Sequence, residues 1–316
     1  MIVRWGLDAL APLLTGLGIE RPLLVASDRW DALDLPAAAR WTEIPSARIT
    51  VPHDADGIVA VGGGSAIDTA KAASAETDLP LVSVPTTYSG SEWTPSFGVR
   101  TPDRRAVGAG AGANLAGIVY DPQLTLSLPR EDTVGTAMNA LAHAAEAMYV
   151  RGRNDAGDRD AREAATRIAA SLPAVVADGK ALGPRKTLLA GASLAGCALA
   201  SAGLGLGHAM AQALGGRYGL PHGAMNATTL PLALRFNISV AAKEIESFGD
   251  AMGTDDAIGK VESLARLGEF GRLRDFGVPE DELAAVANAV VERPGAKANP
   301  RPATPAEVEE LLRLAW

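Results

Sequence analysis

Short, uninterrupted apolar runs mark the first third of the chain. Pro22-Leu23-Leu24-Val25-Ala26 ends at Ser27-Asp28, Gly57-Ile58-Val59-Ala60-Val61 stops at three glycines, and Leu79 to Val84 is followed by Pro85-Thr86-Thr87. Runs of this length without polar alternation predict strands buried on both faces, as in a parallel sheet. Ser65 to Ser74 has helical periodicity, and strand, helix and strand within ~30 residues make a βαβ unit. After Pro129 the pattern changes, and Ala and Leu recur at helical spacing. Helices are expected over Asp132 to Val150, Asp158 to Ala177, Pro184 to Ala202, Asp281 to Val291 and Thr304 to Trp316. The chain therefore divides into an α/β domain over residues 1–129 and an all-helical domain over 130–316. Leu188 to Leu206 is near the length of a membrane span. It holds four glycines and lacks an aromatic belt or flanking charge asymmetry, so a buried core helix is expected.

Composition adds boundaries to this picture. The 316 residues are 47% hydrophobic, enough for a large core in two domains. Net charge is −8, from 29 Lys+Arg against 37 Asp+Glu, which argues against a nucleic-acid partner. The one cysteine, Cys197, lies among small apolar residues and reads as a core residue. No intrachain disulfide can form, and no secretory signal is visible at the start. A cytoplasmic enzyme with no membrane partner is the expectation.

The glycine loop carries the clearest chemistry. Gly62-Gly63-Gly64-Ser65 joins a strand to a helix. Glycines let the backbone approach a phosphate, and the helix N-terminus offers unpaired N–H groups and a favourable dipole. Ser65 can cap the helix or donate to a phosphate oxygen, and Asp68 falls in the first turn. The loop matches neither the G-x-G-x-x-G fingerprint nor the Walker pattern, and a plain capped turn is the competing reading. Thr86-Thr87-Tyr88-Ser89-Gly90-Ser91-Glu92 follows the third strand. Ligands of open α/β sheets bind beyond such strand ends, so these hydroxyls can reach phosphate, ribose or nicotinamide. Asp28, after the first strand, is placed to meet the adenosine ribose.

Four histidines are present: His53, His143, His208 and His222. His53 lies in a Pro- and Asp-rich turn and is expected in solvent. Asn139 and His143 are four apart and share a helix face. His208 and His222 are separated by a helix and a turn. Imidazoles in so apolar a setting need a hydrogen-bond partner or a metal, which suggests a shared site.

At these residues the chain resembles the iron-dependent (group III) alcohol dehydrogenase family. The resemblance rests on Gly62-Gly63-Gly64-Ser65-Ala66-Ile67-Asp68-Thr69-Ala70-Lys71, Pro85-Thr86-Thr87, Gly90-Ser91-Glu92, and Gly207-His208 through Leu220-Pro221-His222-Gly223. It runs from about Val3 to Asn299-Pro300-Arg301-Pro302. It implies the dehydroquinate-synthase-like architecture, with an NAD(P)-binding α/β domain, a helical metal and substrate domain, and an active site in the cleft. It further implies cofactor contacts from Asp28, Gly63, Gly64, Ser65, Asp68, Thr86, Thr87 and Ser91, with His143, His208 and His222 as catalytic groups. Metal-using members hold iron or zinc with one Asp and three His. Here the Asp position is Asn139, beside His143, His208 and His222. An amide brings no charge to hold a divalent cation, so a metal is doubtful on this ground, though three imidazoles can still bind zinc.

The same Asn, the Thr-Thr-Tyr-x-Gly-Ser-Glu loop, Glu146-Ala147 with Tyr149, and the Asn299 to Pro302 tail resemble the maleylacetate reductase branch. That resemblance implies reduction of maleylacetate to 3-oxoadipate with NADH or NADPH, a step of aromatic catabolism, by what is expected to be a homodimer. This chain departs from the branch at Gly207 and Ala209, beside His208, and at Gln212. A dicarboxylate needs cationic partners, for which Arg153, Arg217, Lys297 and Arg301 are candidates. The segment between Asp28 and Asp56 is short for the family. Two other readings compete: a metal-dependent dehydrogenase of a small alcohol, and a catalytically weak dinucleotide-binding relative.

Overall fold

The computed structural model describes residues 1–101 and 105–316, and the chain forms two compact units, Met1–Leu128 and Pro129–Trp316. In the first, strands β1 (Ile2–Trp5), β2 (Pro22–Ala26), β3 (Ala39–Trp41), β4 (Gly57–Gly62) and β5 (Leu81–Pro85) are followed by a hairpin, β6 (Phe97–Arg100) with β7 (Ala106–Gly110), and by β8 (Leu115–Tyr120). Helices α1 (Leu10–Gly16) and α2 (Gly64–Thr77) complete the unit. Among the described residues, six strands pair in parallel in the order β1-β8-β5-β4-β2-β3. Every residue of β2, β4 and β5 is buried, as the unbroken apolar runs require.

The chain builds outward from β2 to β3, then returns to β4 and builds the other way. The reversal lies between β2 and β4, and their carboxyl ends carry Asp28 and the glycine loop. Ligands of open α/β sheets bind outside such a switch point. The short segment before β4 takes a distinctive form. No α-helix joins β2 to β3 or β3 to β4; a 3-10 turn at Asp28–Trp30 and an irregular stretch of turns and bends stand there. Ile44, Ile49 and Val51 of that stretch pack on the β2–β4 core.

The second unit is helical: α3 (Arg130–Ala147), α4 (Asp155–Ala177), α5 (Leu182–Ala202), α6 (Leu206–Tyr218), α7 (His222–Asn237), α8 (Ala242–Ala251), α9 (Ala257–Arg266), α10 (Leu283–Val291), α11 (Pro294–Ala298) and α12 (Pro305–Ala315). Helix α3 is buried almost all round and packs on α4, α5, α7 and α9, which explains its Ala-rich, weakly amphipathic sequence.

The helix expected over Pro184 to Ala202 is α5, but the apolar stretch Leu188 to Leu206 is not one core helix throughout. Helix α5 stops at Ala202, because Gly203 turns to φ 91°, where L-residues are strained, and α6 restarts at Leu206. Among the described residues no single helix is long and apolar enough to cross a membrane; α5 and α6 pass that test only as a pair bent by 102°. Cys197 on α5 is half-buried, not fully buried as expected. Burial, followed by the neighbouring Asp160, pushes its thiol up to about 11, so it stays protonated at neutral pH.

Candidate functional site: a glycine loop and a histidine cluster

In the first unit β4 ends at Gly62, whose φ of 154° and near contact with Ala66 suit glycine. Gly63 takes the N-cap position of α2, and no side chain caps the helix. This corrects two expectations: Ser65 sits inside the helix and does not cap it, and Asp68 lies in the second turn. The Ala66 and Ile67 N–H groups donate to the Gly63 carbonyl, and those of Gly64 and Ser65 lack an intrahelical acceptor. A β-carbon on Gly63 would stand 2.9 Å from Thr87 Cγ2, so the backbone passes tightly beside the threonine loop. The Thr87 hydroxyl is buried there with no hydrogen-bond partner. Bare helix N-terminus, glycine approach and unsatisfied hydroxyl together fit an anionic ligand such as a pyrophosphate. Thr86 is buried, and its N–H donates to the Gly62 carbonyl, tying the two loops at 3.0 Å.

Asp68 and Ser91 are turned to each other. The Ser91 hydroxyl donates to Asp68 Oδ1 at 2.7 Å and accepts from Lys71 Nζ at 3.0 Å. Gly98 N–H donates to Asp68 Oδ2 at 3.2 Å, and Lys71 also donates to the Ser96 carbonyl at 2.8 Å. The network braces the stretch after β5 from beneath. Lys71 is 1% exposed; burial pulls its pKa down and Asp68 pushes it back up. Glu92 accepts from the Tyr120 hydroxyl at 2.6 Å, and burial raises its carboxyl above the usual range.

In the second unit Asn139 and three histidines come together, all buried except the half-buried His222. Asn139 and His143 project from α3, His208 from the first turn of α6, and His222 opens α7. The His143 and His208 rings stack with centroids 4.5 Å apart, and the His208 and His222 centroids are 5.9 Å apart. His208 Nε2 lies 3.2 Å from Asn139 Oδ1, and its Nδ1 lies 2.7 Å from Glu146 Oε2. Asn226 Nδ2 donates to Asn139 Oδ1 at 2.8 Å and lies 3.0 Å from His222 Nε2. The same nitrogen meets the His222 carbonyl at 3.2 Å, so a flipped amide would set oxygen against oxygen. The oxygen of the Asn139 amide, not its nitrogen, therefore faces His208. His53, as expected, is exposed, and it belongs to the first unit.

Sequence reading left out Glu146 and Asn226 as site residues. Positions 139, 143 and 146 are polar at i, i+4 and i+7 in an Ala-rich helix, a signal that all three share one face. Among the described residues no three His, Cys, Asp or Glu side chains make up a metal-holding group, so a donor set here has to count the Asn139 amide oxygen. Two atoms each ~2.1 Å from one ion lie about 3–3.4 Å apart, and the 3.2 Å between Asn139 Oδ1 and His208 Nε2 fits that spacing. The spacing is compatible with a shared ion as well as with a hydrogen bond, and the doubt that the amide raised about a metal finds no support in this geometry.

Burial, then the charges of His208 and His222, holds the His143 pKa well below its ordinary value. Unfolded His143 takes up a proton near its ordinary pKa of 6.5, and folded His143 does not. The unfolded state thus binds more protons, and stability falls as pH drops below that value. Denaturant unfolding of the metal-free protein at pH ~6.5 and ~5.5 should show His143→Gln losing about 1 kcal/mol less than the parent over this interval. Equal losses would contradict a neutral, buried His143.

The four cations named for a dicarboxylate are spent. Arg153 pairs with Asp158 at 2.8 Å, Arg217 with Glu282 at 2.8 Å, Lys297 with Glu292 at 2.9 Å, and Arg301 with Glu307. Arg301 also lies over the Phe236 ring at 3.9 Å. Arg293 differs: it is half-buried, its Nε has no acceptor, and burial lowers its pKa.

Comparison with known proteins follows the same division. Residues 133–316 match the C-terminal model of the Fe-containing alcohol dehydrogenase family, and residues 46–122 match that of iron-containing alcohol dehydrogenase. Maleylacetate reductase 1 of Rhodococcus opacus is 35% identical over 290 residues, covering 92% of this chain and 80% of its own. Maleylacetate reductase of Sphingobium indicum is 38% identical over 263 residues, 83% of this chain and 74% of its own. The crystal structure of maleylacetate reductase from Agrobacterium tumefaciens superposes with a TM-score of 0.86 at 28% identity, covering 100% of this chain and 95% of that one.

Proposed function

This chain belongs to the iron-containing alcohol dehydrogenase family, on its maleylacetate reductase branch, and is an NAD(P)-dependent oxidoreductase; on that premise we propose that it reduces maleylacetate to 3-oxoadipate. The observation that carries the reading is the cluster in which Asn139, His143 and the half-buried His222 converge around the buried imidazole of His208. A hydride delivered to the alkene carbon remote from the ketone pushes the π electrons onto the ketone oxygen, and the enolate then takes a proton on the adjacent carbon. Histidines 143, 208 and 222 are the groups to polarise that oxygen and to supply the proton. The pyrophosphate belongs on Gly63, Gly64 and Ser65, with Thr86 and Thr87 beside it. Asp68 and Ser91 act on the loop through their shared network. A divalent ion held by Asn139, His143, His208 and His222 would serve as a Lewis acid toward a carbonyl oxygen. The test is NADH oxidation with maleylacetate and with a panel of small aldehydes, with and without added iron or zinc. Turnover of maleylacetate to 3-oxoadipate supports the reading; background rates with it and turnover of aldehydes overturn it in favour of an alcohol dehydrogenase. The reading includes a homodimer, checked by the mass in sedimentation.

NADH is the preferred donor in this reading. Asp28 is exposed at the end of β2, where a carboxylate repels a 2′-phosphate. Neither nearby arginine is at liberty to offset it. Arg29 donates to the Ser127 carbonyl at 3.0 Å and lies over Trp30, and Arg40 pairs with Asp31 at 2.7 Å. The kcat/KM for NADH should exceed that for NADPH by about tenfold or more, a difference of ~1.4 kcal/mol, and Asp28→Ser should narrow the gap. Equal use of both donors by the parent would reject this role for Asp28.

A further inference from the structure

Glu146 is fully buried on α3, yet neither the glycine loop nor the substrate chemistry calls for it. Its carboxylate reaches the beginning of α6. Oε2 accepts from the Gly205 N–H at 2.7 Å, and Oε1 accepts from the His208 N–H at 3.1 Å. Gly205 is the N-cap of α6, and His208 is its third residue, the position whose N–H a capping group ordinarily satisfies. A side chain from a different helix thus caps α6. The chain around the carboxylate is built for it. A β-carbon on Gly207 would lie 2.9 Å from Oε1, and one on Gly205 would lie 3.0 Å from Cδ.

The same carboxylate meets the ring of His208 at Nδ1. Because its oxygens already accept two backbone N–H groups, it acts as an acceptor toward the ring as well, and Nδ1 carries the proton. The other end of the ring, the unprotonated Nε2, lies 3.2 Å from Asn139 Oδ1, two lone-pair atoms facing each other as they would across a shared cation, and His143 stacks on the ring face. Residues 139, 143 and 146 of one helix therefore grip both nitrogens and one face of a single imidazole.

We propose that Glu146 is a positioning residue: it caps α6 and fixes the His208 ring in one tautomer and one orientation, with Nε2 directed at Asn139. It does not touch substrate. The inference rests on His208 being part of the reacting site, and its spectroscopic test does not need the substrate. Outer carboxylates that orient a working histidine typically matter by about 10–100-fold. Glutamine cannot replace Glu146, since in either amide orientation its NH2 opposes one of the two backbone N–H donors.

The experiment uses the full chain and its Glu146→Gln variant. Nitrogen-15 NMR of the histidine rings, with His208 assigned by its loss in His208→Asn, reads the tautomer. The parent should show a downfield, slowly exchanging Nδ1 proton on His208, shifted or lost in Glu146→Gln. Steady-state kinetics should show kcat lower by about 10–100-fold with KM for NADH within about threefold of the parent. A parent His208 protonated on Nε2 alone overturns the proposal, even if the variant does not fold. An unchanged His208 signal or an unchanged kcat in a folded variant overturns it too. If the Nδ1 signal behaves as expected while the parent fails to turn over maleylacetate, the substrate assignment fails and the positioning role of Glu146 stands.

Discussion

Gly223→Ala should lower the unfolding free energy by about 3 kcal/mol and reduce turnover with it. Gly223 follows His222 in the first turn of α7, where α7 crosses α3 at Gly135. A β-carbon on Gly223 would stand 2.4 Å from the Gly135 carbonyl carbon and 2.6 Å from its oxygen. Both are backbone atoms of a buried helix, so no side-chain rotation relieves the clash. The helices must part, and the loss spreads through a core that is close-packed. Because Asn139 and His143 lie on α3 and His222 is the neighbouring residue, the displacement reaches the cluster directly. Gly183→Ala is the control. A β-carbon there meets nothing within 4 Å, and it lies in α5, where alanine gains up to ~1 kcal/mol over glycine. Urea unfolding of both variants tests the pair. Equal and small effects would show that the α3–α7 crossing is looser than its geometry indicates.

His208→Asn should cut kcat by about 10²–10⁴-fold while leaving NADH affinity within about threefold. Asparagine keeps a short amide that can donate to Glu146, so the buried carboxylate is not stranded and the fold persists. What it loses is Nε2, the ring atom 3.2 Å from Asn139 Oδ1. Alanine is the poorer test, since leaving Glu146 without its ring partner costs about 1–3 kcal/mol and confounds activity with stability. Rate measurements at saturating substrates, beside fluorescence titration of NADH, separate chemistry from binding. A kcat within threefold of the parent would remove His208 from the reaction.

The elements most readable from sequence are those where period and punctuation agree. The run that ends at Gly62 becomes β4, and the helical period after it becomes α2. The pattern is weaker elsewhere for physical reasons. β3 has three residues, β7 is mostly exposed glycine and alanine, and β1 is a mostly exposed edge strand. None of these has the buried apolar run that signals a central strand. The helix expected over Pro184 to Ala202 ends where α5 does, while the apolar run continues across the break to Leu206, so hydrophobicity alone does not mark it.

The site divides in the same way. Asn139, His143, His208 and His222 stand out as polar residues in apolar surroundings, and the fold gathers them. Ser65 and Asp68 lie two positions deeper in the helix than a Ser65 cap implies, because α2 starts at Gly64 with Gly63 as its cap. Glu146 was visible only as part of a motif. Its work depends on the N-terminus of α6, about sixty residues later in the chain, and no local period encodes that meeting. The arginines named for a dicarboxylate were chosen by region, and ion pairs such as Arg217 with Glu282 are long-range facts that sequence spacing does not supply.

The central claim is that this chain moves a hydride from a nicotinamide to the carbon–carbon double bond of maleylacetate. The direct measurement is mass spectrometry of the product formed with NADH deuterated at the transferring position. The account predicts 3-oxoadipate carrying one deuterium on carbon, formed at the rate of NADH oxidation. Product without deuterium, or deuterium appearing only in an alcohol formed from an aldehyde or ketone, would contradict it.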